Sequence, residues 1–113
     1  MTATAAHLRE VTDGTFAEEV LRSDVPVLVD FTADWCPPCR MVAPVLARIA
    51  EQRRDTLKVV SLDVDRYPRT QAAYGVLSMP TLVLFRDGGP ARSVVGAQPE
   101  RRLVEQLGLD EPR

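Results

Sequence analysis

Apolar residues along this chain fall into short unbroken runs separated by stripes of helical period. Val25–Thr32 (VPVLVDFT), Leu57–Asp63 and Thr81–Phe85 are β-branched or apolar almost throughout, the pattern of strands covered on both faces. Pro26 has no N–H to give a ladder, so it belongs at the start of the first run. Between Pro38 and about Arg53, the residues Met41, Val42, Val45, Leu46, Ile49 and Ala50 form a stripe that predicts an amphipathic helix. Pro44 lies inside it, where a kink is expected. Pro68 and Gly75 bracket a shorter helix, with proline just inside its start and glycine just past its end. Pro99 opens a last one, with Leu103, Val104 and Leu107 on one face and Gly108 at its end. Near the N-terminus, Thr12, Asp13 or Thr15 caps a first helix reaching about Leu21, and Thr15 with Glu18 has capping-box spacing. Asp87-Gly88-Gly89 predicts a turn that returns Ala91–Val95 as a hairpin partner of the third strand. Helices alternating with buried strands predict an α/β domain, and the closing hairpin makes its sheet mixed.

The length of 113 residues, without a repeat, a low-complexity stretch or a dividing linker, predicts a single domain over 1–113 with short loose ends. Hydrophobic residues at 45% and charged residues at 27% argue for a folded chain and against disorder. A net charge of −2 supplies no field for a phosphate backbone, so no nucleic-acid partner is expected. No apolar run approaches the ~20 residues that span a bilayer. Met1–Glu10 lacks a basic patch followed by an apolar stretch, so no signal peptide is expected. Those absences point to a cytoplasmic protein without a membrane partner, and nothing in the chain demands more than a monomer. His7, Arg53-Arg54 and Arg101-Arg102 read as solvated surface.

The chemistry is concentrated at Trp35-Cys36-Pro37-Pro38-Cys39, between a buried strand and the start of an amphipathic helix. Cys36 and Cys39 are the only cysteines. In a reducing compartment such a pair is metal-binding or catalytic more often than structural. A structural zinc site needs four ligands; His7 is the only histidine and is distant in sequence, so no metal site is expected. Two buried core thiols are the bland alternative. A helix N-terminus carries unpaired N–H groups and the positive end of the dipole. A Cys-x-x-Cys thiol placed there has its pKa lowered from about 8.5 to roughly 3.5–7.5. The spacing puts both sulfurs on one face of the first turn, close enough to bridge. Cys36 at the mouth is then the nucleophile, and Cys39, a turn deeper, resolves the mixed disulfide.

The series VLVDFTADWCPPC, the helix proline Pro44, Met79-Pro80-Thr81 and the late Val95-Gly96-Ala97 closely resemble the thioredoxin family. The resemblance runs over about residues 6–109 in one register. It implies a thioredoxin fold, a central mixed five-stranded sheet flanked by four helices. It implies dithiol–disulfide exchange that reduces disulfides in protein substrates, with no bound cofactor beyond the Cys36–Cys39 couple. NADPH and FAD would enter only through a flavoprotein thioredoxin reductase as partner. The same scaffold can run as a disulfide oxidase or isomerase, depending on the potential of the couple relative to its compartment. It can also serve as a non-catalytic binding module, although retention of both cysteines and Asp30 argues against that.

Asp30 interrupts the most apolar strand, where ionisation is costly and the pKa should rise. Such an acid near a dithiol can carry protons for the exchange, the purpose that the family's aspartate serves at this place. An edge position in water is the alternative. Many thioredoxins carry a lysine facing this aspartate; here the matching residue is Ser61, and Lys58 should face the other side by strand parity. Thr32 stands where the family often has an aromatic residue. Met79-Pro80 matches the family's cis-proline dipeptide, with the Met79 backbone free to pair with an extended substrate chain. Trp35, Met79, Pro80, Gly96 and Ala97 would form a flat apolar rim, with Pro37 beside it. Pro37 stands where most thioredoxins have glycine and precedes another proline, so the helix is expected to start no earlier than Pro38.

Overall fold

The computed structural model describes residues 8–111. Residues 1–6, expected to be loose, His7, expected to be solvated surface, and the last two residues of the polar tail lie outside that range. Strand β1 is Arg9–Glu10, β2 Val27–Thr32, β3 Lys58–Asp63, β4 Thr81–Arg86 and β5 Gly89–Val95. The helices are α1 (Ala17–Leu21), α2 (Pro37–Gln52), α3 (Pro68–Ala73) and α4 (Glu100–Leu107). The sheet order is β1-β3-β2-β4-β5. β1 and β2 run parallel to β3, whereas β4 is antiparallel to β2 and to β5. The expected mixed five-stranded sheet with four helices is therefore present.

The central strands are buried on both faces because each face has its own core. Val27, Val29 and Phe31 of β2 join Phe16, Val20, Val60, Leu62, Val83 and Phe85 in one cluster. Leu28 joins Val42, Leu46, Ile49, Leu82, Leu84, Leu103 and Leu107 in the other, which α2 and α4 cover. Strand alternation assigns Asp30 to the same side as Leu28. The hairpin turns on Asp87 (φ 51°) and Gly88 (φ 84°), the two left-handed residues a twisted two-residue turn requires, with Arg86 opposite Gly89. Gly108 closes α4 in the left-handed conformation, as a helix C-terminus favours.

Several details depart from the sequence expectations. α1 is a single turn wound as π, its end closed by the Arg22 N–H donating to Ala17 O at 3.0 Å. Its N-cap position, Phe16, makes no side-chain cap, and the reciprocal bonds expected of Thr15 with Glu18 join Thr12 to Thr15 instead, in the turn that precedes the helix. The Thr15 N–H donates to Thr12 Oγ1 at 3.1 Å, and the Thr12 N–H to Thr15 Oγ1 at 2.8 Å. α2 begins at Pro37 and not at Pro38. The first helical positions have no intrahelical N–H bond to lose, so two prolines fit there. α2 also continues through Pro44 to Gln52. Met41 is 70% exposed, leaving Val42, Leu46 and Ile49 as the buried stripe. Arg53 is half-buried, with its guanidinium donating to Asp110 Oδ1 at 2.7 Å; Arg54, Arg101 and Arg102 are exposed as expected.

Candidate active site

β2 delivers its last residue, Thr32, to a short turn that enters α2 at Cys36. The Cys36 N–H donates to Ala33 O at 3.3 Å, and Arg40 Nη1 donates to Asp34 O at 2.8 Å. Cys36 is the N-cap of α2, in extended conformation. Pro37 and Pro38 have no N–H, so the first donor of the helix is the amide of Cys39. That amide donates to Cys36 Sγ at 3.3 Å, placing the end of the dipole on this sulfur. Cys36 and Cys39 form a disulfide, with Cα atoms 5.3 Å apart. Both residues are buried, Cys36 no less than Cys39. The expected difference in depth is thus absent in the oxidised pair, because one short ring holds both sulfurs under the same loop. What distinguishes them is the N-cap position of Cys36.

The Met79–Pro80 peptide is cis, as expected. Met79 O lies 3.5 Å from Cys36 Sγ. The Gly96 N–H donates to Pro80 O at 2.8 Å, so the end of β5 is fastened to the same loop. Of the expected rim, Trp35, Pro37 and Ala97 are exposed, Met79 and Gly96 are half-buried, and Pro80 is buried. Trp35 is 63% exposed, which excludes a core tryptophan. Its Nε1–H donates to Asp65 Oδ2 at 2.8 Å. Asp63 Oδ1 in turn accepts from the Asp65 N–H at 2.9 Å and the Arg66 N–H at 3.3 Å, which sets the turn that presents Asp65. Sequence reasoning did not find this brace, since the ring and its acceptor are thirty positions apart.

Asp30 is only 4% exposed, and its Oδ1 has no hydrogen-bond partner. Its neighbours in register are Ser61 on β3 and Leu82 on β4, so no cation opposes it within the ladder. Lys58 is occupied elsewhere, with Nζ donating to Glu19 O at 2.7 Å and Glu19 Oε1 at 2.8 Å. Burial without a compensating charge pushes the Asp30 carboxyl from its ordinary 3.8 to about 7. Asp30 and Cys39 both line a cleft of about 410 Å³, with Thr32, Ser61, Asp63 and Arg40 among its other walls. A carboxyl that burial pushes up to about 7 thus shares a space with Cys39. Among the described residues, no group of three or more His, Cys, Asp or Glu is arranged to hold a metal ion, and no helix is long and apolar enough to cross a membrane.

The chain is similar to known proteins over most of its length. The thioredoxin family model matches residues 7–108. Thioredoxin 1 of Synechococcus elongatus is 53% identical over 97 residues, covering 86% of this chain and 91% of the relative. A thioredoxin of Mycobacterium tuberculosis is 52% identical over 98 residues, covering 87% of this chain and 84% of the relative. A bifunctional thioredoxin reductase/thioredoxin of Mycobacterium leprae is 49% identical over 98 residues, covering 87% of this chain and 21% of that longer protein. A redox-active Cys36–Cys39 disulfide on a mixed sheet, matched over most of the chain at about half identity, leads to one conclusion: the chain belongs to the thioredoxin family.

Proposed function

We propose that Cys36 is the attacking thiol and Cys39 the resolving thiol in the protein-disulfide reduction that is the general activity of thioredoxins. The observation that carries this order of roles is the Cys39 N–H donating to Cys36 Sγ at 3.3 Å. A sulfur at that position is stabilised as thiolate, the form that attacks. The Cys36 thiolate attacks one sulfur of a substrate disulfide, the substrate S–S bond breaks, and the first substrate thiolate leaves. Ionised Asp30, sharing a cleft with Cys39, accepts the Cys39 proton. The Cys39 thiolate then attacks Cys36 Sγ and expels the second substrate thiolate. Two electrons pass to the substrate, whose two thiolates take one proton back from Asp30 and one from water, and the Cys36–Cys39 disulfide is restored.

Trp35, Pro37, Met79, Pro80, Gly96 and Ala97 form the surface that receives the substrate, with Met79 offering backbone groups to an extended chain. The reducing partner is a thioredoxin reductase that draws on NADPH through FAD. A relative whose name joins thioredoxin reductase to thioredoxin supports that partner. The whole of 1–113 works as one domain and as a monomer in the cytoplasm. Insulin reduction tests the reading, first with dithiothreitol as electron source and then with reductase and NADPH. Precipitation of the insulin B chain in both assays is expected. Activity with neither would leave a binding module in place of a reductase.

A further inference from the structure

We propose that Leu77 and Val95 determine which protein disulfides this chain reduces, by seating an aliphatic side chain that lies two residues from the attacked cysteine; the proposal rests on the reductase reading above. Leu77 is 91% exposed and Val95 59%. Single exposed apolar residues are ordinary, but these two line one cleft. It has a volume of about 400 Å³, Tyr74, Thr81, Val83 and Ser93 help to wall it, and no charged residue lines it.

The cleft begins where the reactive site ends. Leu77 precedes Met79 by two residues, and Met79 O is 3.5 Å from Cys36 Sγ. Val95 stands opposite Thr81 in the β4–β5 ladder, one residue before the glycine fastened to Pro80 O. In the mixed disulfide the substrate is covalently fixed to Cys36 Sγ, so the residues beside its cysteine must lie over this surface. An extended chain advances ~3.3 Å per residue and repeats its side-chain direction every second position. A chain paired with the Met79 backbone therefore brings the residue two positions from its cysteine to Leu77. The uncharged wall gains by burying an aliphatic side chain there. A carboxylate or ammonium at the same place would lose water and gain no partner. The substrate class is accordingly a protein disulfide exposed on an extended segment, with Leu, Ile or Val two residues from the cysteine.

The test uses two peptides, each with one cysteine disulfide-bonded to the same chromogenic thiol. One peptide carries Leu two positions to either side of the cysteine, and the other carries Asp there. The wild-type chain is expected to favour the Leu peptide by about tenfold in kcat/KM, equivalent to ~1.4 kcal/mol. Leu77→Ser should collapse that ratio toward one. Met41→Ser, which removes a side chain 70% exposed elsewhere on α2, should leave the ratio as it is. A wild-type ratio near one, or a tenfold ratio that survives Leu77→Ser, overturns the proposal. A small aromatic disulfide with no flanking residues reads the chemistry separately. If the wild type reduces it while the peptides go undistinguished, the groove assignment alone is wrong. If the wild type reduces neither, the reductase reading falls and takes this proposal with it.

Discussion

Among the described residues, Asp30 is the carboxyl that burial pushes above its ordinary pKa. Its carboxyl is buried without a hydrogen bond at Oδ1 and faces Ser61 across the ladder. Below about pH 4 it is neutral in the folded and the unfolded chain, and pH does not affect its contribution. Between about pH 4 and the folded value of about 7, the unfolded chain ionises and the folded one does not. Stability therefore falls as pH rises through that window, and above pH 7 the full penalty is in place. At ~1.4 kcal/mol per unit the penalty is roughly 4 kcal/mol. Asp30→Asn should raise the thermal midpoint at pH 8 by about 10 °C or more, and should give no comparable gain at pH 4. With Asp30 as the proposed proton acceptor beside Cys39, the same substitution should slow exchange by roughly tenfold or more at pH 7. Calorimetry at the two pH values checks the first outcome. A midpoint at pH 8 equal to or below that of the wild type would mean that Asp30 is not held at a cost. The interruption of VLV-D-F by a carboxylate made this residue legible from its place in the apolar run, and the family resemblance supplied its expected purpose. Leu77 was not legible, because its environment is assembled from the end of α3, β4 and β5, and no local pattern brings those together.

Among the elements, the N-terminus of α2 is expected to set the redox poise. The N-cap side chain accepts from the amides two or three positions in. Here the second is Pro38, and only the third, Cys39, has a hydrogen to give. Pro37 occupies the first position, whose amide is not one that a cap side chain normally reaches. The donor lost to the consecutive prolines is thus lost mainly at Pro38. Pro38→Ala should lower the Cys36 pKa and make the reduction potential less negative by about 30 mV, or ~1.4 kcal/mol for this two-electron couple. Pro37→Gly should shift the potential in the same direction by clearly less. Equilibration of both variants against a glutathione buffer measures the shifts, and a larger shift for Pro37→Gly would contradict the cap geometry. The long elements were legible because periodicity and proline placement agreed over many residues. β1 was missed because Arg9–Glu10 is two exposed charged residues, with no apolar pattern to read. The reciprocal capping bonds were assigned one turn late because Thr12, Thr15 and Glu18 offer the same spacing twice, and they join Thr12 to Thr15.

At the scale of the molecule, the two cores hold β2 rigid between β3 and β4 and so fix the distance between its two outputs. One output is Asp30, carried inside the sheet, and the other is the turn that hands Cys36 to α2. The antiparallel pairing of β2 with β4 brings the start of β4, and with it Met79 and Pro80, to the end of β2 where the cysteines lie. Strand order therefore assembles a site from three places distant in sequence. The motifs announced each of those places, and the register pairs Asp30 with Ser61, the residue that the family resemblance had matched to that position. On the proposed reading the whole arrangement serves a single order of events, with attack by Cys36 and release by Cys39. Trapping tests that order most directly. Each single variant, Cys36→Ser and Cys39→Ser, is reduced, mixed with a disulfide-bonded protein, and weighed intact by mass spectrometry. The expected result is a stable covalent adduct for Cys39→Ser and none for Cys36→Ser. An adduct formed by Cys36→Ser and not by Cys39→Ser would contradict the assignment of the attacking thiol.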